Sequence, residues 1–155
     1  MTPILNPFAA AGHDMGAWLS YSQKAVASLG LEPSLLHLVK VRASQLNGCA
    51  NCLNMHTQEA RADGETEQRL YLLSAWQEAP VYSDRERAAL AWTEALTLVA
   101  TQGAPDDTLH AQLAAQFTEE EQVQLTLAIN IINGWNRIAV GFRMFMDAAP
   151  AAKAA

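Results

Sequence analysis

A chain of 155 residues fits one domain, and with half of them hydrophobic it has the apolar material for a buried core. Charged residues are only 17%, which excludes a disordered polyelectrolyte, and a formal charge of −6 argues against nucleic acid, which needs a basic face to displace counterions. No stretch runs for the roughly 20 apolar residues of a membrane span. The first residues, MTPILNPFAAAGHDM, lack the basic start and apolar centre of a secretion signal, so a cytoplasmic location without a membrane partner is expected.

Ala, Leu, Glu and Gln are frequent and no alternating strand pattern persists, so the chain reads as helices throughout. The pattern predicts a first helix over about 15–29, stopped by Gly30. Pro33 opens the next, which carries Leu35, Leu36, Leu38, Val39 and Val41 and runs to about Leu46. Asn47-Gly48 is a break. A third helix starts at the cysteines and runs to about Asp63, ahead of Gly64. A fourth covers about 65–77 and ends before Pro80. Ser83 with Glu86, and Thr118 with Glu121, are capping boxes. The first opens a helix to about Gln102. The second opens the last helix, to about Met146, after a short one from Pro105 to Gln116. The tail AAPAAKAA is expected to be loose, and no linker points to a second domain.

A faint repeat runs through this pattern. Leu46-Asn47-Gly48-Cys49 matches Ile132-Asn133-Gly134-Trp135, and in that register Cys52 falls on Ile138 and His56 on Phe142. One copy carries reactive groups where the other is apolar, as in a duplicated helical hairpin with one active half.

The only two cysteines, Cys49 and Cys52, are three residues apart. A bond between them closes almost no loop and so adds little stability, which turns attention to redox or metal chemistry. On a helix, spacings of three, four and seven place Cys49, Cys52 and His56 in one stripe. The cysteines sit at the helix start, where free amides and the dipole favour a thiolate. His56 can accept a proton or hold it by hydrogen bond. Nucleophile, base and resolving thiol thus come together. Zinc is the rival: Cys49, Cys52 and His56 could bind it, with His37, His13 or His110 as fourth ligand. Structural zinc takes two separated ligand pairs and the second is missing, so no metal or other cofactor is expected. Trp76, Trp92 and Trp135 read as core or interface residues, and Glu59, Lys40 and Arg42 as solvated charges.

The run from Leu38 to Cys52, continuing through His56-Thr57-Gln58-Glu59-Ala60-Arg61 to Gly64, resembles the alkylhydroperoxidase D-like branch of the carboxymuconolactone decarboxylase superfamily. So do Arg85–Ala95 and Asn133–Arg137, and the resemblance spans 13–146 as one domain, leaving 147–155 as tail. It implies an all-α, single-domain bundle of helical hairpins and a homo-oligomer, a trimer or hexamer. It also implies reduction of a peroxide or disulfide substrate. Cys52 would attack, Cys49 would resolve, His56 would relay protons, and an external thiol reductant (thioredoxin-like or lipoyl-bearing) would restore the pair. Two positions depart from the family pattern. His37 stands where a relay Glu is common, twelve residues before Cys49, and can itself shuttle protons. Asn51 stands between the cysteines where the best-known hydroperoxidase has His. Two other readings stay open: a lactone-type decarboxylase, which needs no cysteine pair, and a redox-responsive adaptor without turnover.

Overall fold

The computed structural model describes residues 2–145. Over these the chain forms nine α-helices and one 3₁₀ turn, with no strand among the described residues. The fold is the all-α arrangement expected from the sequence. Asn6 caps α1 (Pro7–Ala10), its side-chain oxygen accepting the N–H groups of Phe8 and Ala9 at 3.0 and 3.2 Å. Then come α2 (Gly12–Ala27), α3 (Pro33–Leu46), α4 (Ala50–Ala62) and α5 (Glu67–Leu72) with its 3₁₀ turn Leu73–Ala75. They are followed by α6 (Asp84–Thr97), α7 (Val99–Gln102), α8 (Asp107–Ala114) and α9 (Glu119–Phe142).

Helix α3 is the centre, packing against α4, α6 and α9. Leu35, Leu36, Leu38, Val39, Val41 and Ala43 point to more than one of its faces and all are buried, which is why it is covered on several sides. Leu35, Leu36 and Val39 join Trp92, Leu125 and Ile129 in one apolar cluster, and Leu38 and Val41 join Leu70, Leu73, Trp76 and Leu90 in another. Each fully buried Leu contributes about 1.5–3 kcal/mol relative to exposure.

Both capping boxes form, with Glu86 and Glu121 reaching back to the N–H groups of Ser83 and Thr118 at 2.8 Å. Other boundaries differ from expectation. The helix expected over 65–77 ends at Leu72, because the next segment is tied to Arg87: its guanidinium takes the carbonyls of Trp76, Gln77, Ala79 and Tyr82. The helix expected to reach Gln102 is interrupted at Leu98, just after Thr97 turns inward to Asn133. Helix α2 begins at Gly12 and ends at Ala27, and Gly30 is not its stop; the Gly30 N–H instead donates to Gln124 Oε1 at 3.0 Å. Helix α9 ends at Phe142 rather than near Met146, because Arg143 adopts the left-handed conformation, φ 53°. Met146 and the tail lie outside the described residues.

The two repeat copies fold differently. In the first, Gly48 at φ 64° turns the chain from α3 into α4. In the second, Gly134 lies inside unbroken α9 and serves close approach: a Cβ there would stand 2.9 Å from Cζ2 of Trp18. The matched asparagines meet, Asn47 Nδ2 donating to Asn133 Oδ1 at 2.9 Å.

Candidate active site

The site begins at the break. Past Gly48 the chain is extended at Cys49 (φ −85°, ψ 92°), which is the N-cap of α4. The Cys49 N–H donates to Ser44 O at 3.0 Å, and its sulfur accepts the Cys52 N–H at 3.2 Å. Cys49 and Cys52 form a disulfide, with Cα atoms 5.3 Å apart. The N-cap sulfur therefore lies where one of the unpaired amides of a helix start, and the positive end of its dipole, favour a thiolate once the bond is reduced. Both residues are buried, at 1% and 4% exposure, against Ala139 of α9 and Met144 just beyond it.

His56 follows Cys52 by four residues, one turn along α4. Its Nδ1 lies 2.7 Å from Glu59 Oε2, and Lys40 Nζ of α3 lies 3.6 Å from the same oxygen. The hydrogen bond from His56 is the main reason the Glu59 carboxyl is held down at about 2, with the charges of His56 and Lys40 adding to it and burial opposing. Glu59 is thus an acceptor that fixes the orientation of the imidazole through Nδ1. The sequence reading treated Glu59 and Lys40 as solvated charges. The +3 spacing from His56 allows this pairing without requiring it.

His37 lies one turn before Lys40 on α3. It is buried, and its Nε2 lies 2.7 Å from Asp63 Oδ2 at the far end of the α3–α4 hairpin. Asp63 is eleven residues beyond Cys52, a helical rise of roughly 16 Å. The His37 Nδ1 is buried without a hydrogen-bond partner among the described residues. His13 is exposed beside Asp14, and His110 meets the Trp92 ring edge-on at 4.9 Å. Among the described residues, no three His, Cys, Asp or Glu side chains converge to hold a metal ion. Asn51 is buried, its amide 3.6 Å from the Met55 sulfur.

An amide network that the sequence reading missed fixes the break against α9. Asn47 Nδ2 reaches the side-chain oxygens of Asn133 and Asn136, each at 2.9 Å, and Asn136 Nδ2 donates to Ser44 Oγ at 3.1 Å. The repeated asparagine was its one sequence signal. Arg42, expected on the surface, is half-buried instead: it pairs with Glu94 at 2.7 Å, and Trp76 Nε1 donates to the same carboxylate at 2.6 Å. Trp92 is buried, and Trp135 is half-buried with its Nε1 donating to Ser22.

The sequence pattern of the carboxymuconolactone decarboxylase family matches residues 15–95. The chain belongs to that family. Within it, the chain falls in the alkylhydroperoxidase D-like branch. The uncharacterized protein YdfG of Bacillus subtilis (strain 168) is 50% identical over 103 residues, 66% of this chain and 69% of YdfG. A crystal structure from Agrobacterium tumefaciens, of a protein of unknown function proposed to be an antioxidant defence protein AhpD, superposes with a TM-score of 0.90. It is 44% identical, over 96% of this chain and all of that one. The debrominase Bmp8 shares the fold, with a TM-score of 0.76 at 19% identity over 91% of this chain and 75% of Bmp8. No helix among the described residues is long and apolar enough to cross a membrane.

Proposed function

We propose that this protein is a cytoplasmic thiol-dependent peroxidase or disulfide reductase, working as a homo-oligomer (trimer or hexamer). The observation that carries the reading is the Cys49–Cys52 disulfide at the start of α4, on the helix face that presents His56 one turn away. The family and the Agrobacterium structure are consistent with it.

In the proposed cycle the reduced Cys52 thiolate attacks the outer oxygen of a hydroperoxide. The O–O bond breaks, and the alkoxide leaves with a proton from His56, giving an alcohol and a sulfenic acid on Cys52. Cys49, whose sulfur sits at the helix N-cap, then attacks Cys52 as a thiolate. A disulfide forms, and the hydroxyl departs as water with the proton that the Cys49 thiol gave up on ionising. An external dithiol, on a thioredoxin-like or lipoyl-bearing protein, takes up the disulfide by exchange and becomes oxidised itself, restoring both thiols. His56 is oriented by Glu59, and Glu59 is anchored by Lys40. His37 is held by Asp63 at the end of the hairpin, and a relay role for it is read from His37→Gln by hydroperoxide consumption.

Cumene hydroperoxide consumption with dithiothreitol as reductant tests this. Wild type should turn over and Cys52→Ser should be inactive. Without reductant, pre-reduced Cys49→Ser should consume one equivalent and hold it as a sulfenic acid on Cys52, and with reductant His56→Gln should lose on the order of a hundredfold. Wild type no faster than Cys52→Ser would overturn it.

A further inference from the structure

Thiol–disulfide exchange requires a nucleophile to reach a sulfur along the S–S axis. Cys49 and Cys52 are nonetheless only 1% and 4% exposed. Most of what surrounds them is firmly held. The α3–α4 break is fixed by the Asn47, Asn133 and Asn136 amides, and Ala139 lies within α9. Met144 differs. It lies past the last helical residue, half-buried, and completes the apolar cluster of Cys49, Cys52 and Ala139.

Its hold on that place is slight. The Met144 N–H donates to Ala139 O at 2.8 Å and the Arg143 N–H to Val140 O at 3.2 Å, the two bonds of a Schellman turn. The left-handed residue of such a turn is usually glycine. Here it is Arg143, at φ 53°, the only non-glycine residue with positive φ among the described residues. The side chain of an L-residue crowds its own carbonyl in that conformation, so the closed turn carries a steric cost that glycine would not. One further bond, Ile4 N–H to Phe142 O at 3.1 Å, holds the helix end but not Met144. Phe145, which follows, is exposed.

We propose that the turn formed by residues 143–145 is a gate over the Cys49–Cys52 disulfide. With Met144 seated the sulfurs are closed to thiols and larger partners. When Arg143 leaves the left-handed conformation, Met144 lifts and the sulfurs open while the bundle stays folded. The arginine tunes how often this happens. The proposal concerns regulation of the site described above and rests on that site exchanging its disulfide.

The test is the rate at which the oxidised full-length protein is reduced by tris(2-carboxyethyl)phosphine at neutral pH without denaturant, read by maleimide trapping and mass. The phosphorus attacks one sulfur and the other leaves as a thiolate. Water then releases the first thiol, and the phosphine is oxidised to its oxide. Met144→Ala removes the cover and should speed reduction by roughly five- to tenfold. Arg143→Gly relieves the turn, favours the closed form and should slow it by roughly two- to fivefold. Opposite effects from adjacent residues are the signature of a gate. If both variants react at the wild-type rate, or both accelerate in step with their loss of stability in urea, opening occurs by global unfolding and there is no gate. Cumene hydroperoxide turnover of the same proteins is scored separately. Opposite shifts without turnover leave the gate standing and remove the peroxidase reading; turnover without the shifts does the reverse.

Discussion

The matched glycines of the repeat allow a sharp test, because the structure gives them different reasons for being glycine. At Gly48, φ 64°, nothing lies within 4 Å of where a Cβ would stand, so the cost of alanine is purely a backbone cost. A left-handed alanine costs about 1–2 kcal/mol, offset by about 0.4–1 kcal/mol from a stiffer unfolded chain. Gly48→Ala should therefore lose about 1 kcal/mol. At Gly134 the backbone is helical, and alanine would gain about 1 kcal/mol of propensity. Against that, its Cβ would lie 2.9 Å from Trp18 Cζ2 and 3.3 Å from Cη2. Overpacking of this kind costs about 1–3 kcal/mol, so the net loss is again about 1 kcal/mol. The two diverge under a second change. In a Trp18→Leu background Gly134→Ala should become neutral or stabilising, while Gly48→Ala should cost the same as before. Asparagine, which tolerates the left-handed region, should recover part of the loss at Gly48 and worsen it at Gly134. Urea unfolding followed by far-ultraviolet circular dichroism reads this, since 1 kcal/mol moves the midpoint by roughly 0.3–1 M. If Gly134→Ala stays equally harmful without the Trp18 ring, the close-approach argument fails.

Two further outcomes follow from the polar groups. The Glu59 carboxyl, held at about 2, should titrate near its ordinary 4.5 in His56→Gln and move less in Lys40→Met, as seen by carbon-detected NMR. Because its folded value is depressed, its share of stability is present above about 4.5 and fades as pH falls toward 2. With a half-exposed side chain that share is at most about 1 kcal/mol, so Glu59→Gln should lose less stability than wild type between pH 5 and 2.5. Asn136→Ala should cost about 2–3 kcal/mol, because it strips partners from Asn47 and from the fully buried Ser44. Combined with Asn47→Ala it should cost less than the sum, and strict additivity in a double-mutant cycle would refute a shared network.

What the sequence revealed, and what it hid, follows from the reach of each interaction. Ser83 with Glu86, and Thr118 with Glu121, were legible because a capping box closes within four residues. So was the stripe of Cys49, Cys52 and His56, which needs only helical spacing. Glu59 could not be placed the same way: three residues beyond His56 it could equally have faced water, and Lys40 on another helix decides the matter. Arg42 read as a surface charge because its partner, Glu94, is 52 residues away. The helix over 65–77 was overextended because the group that takes over its carbonyls, Arg87, lies outside the segment. The first helix was different. Its Asn6 cap and Pro7 were local and readable, but four residues carry no periodicity to draw attention to them.

The placement of the cysteine pair follows from the repeat being broken in one copy only. A thiolate is favoured at a helix start, and α9 has no start at the matching position, since it runs through Asn133-Gly134 without interruption. Breaking the first copy at Gly48 creates that start, and the N-cap position falls on Cys49. A break leaves backbone and amide groups to be satisfied in the interior. The unbroken copy supplies the partners, with Asn133 and Asn136 meeting Asn47, and one turn on it supplies Ala139 against the sulfurs. Trp135, matched to Cys49, packs instead on Phe8 and Trp18 at 6.5 and 6.0 Å, so the equivalent position serves the attachment of α1 and α2. The asymmetry therefore has a physical basis: one copy opens a helix end that carries the cysteine pair, and the other stays continuous so that the opened end is held and covered.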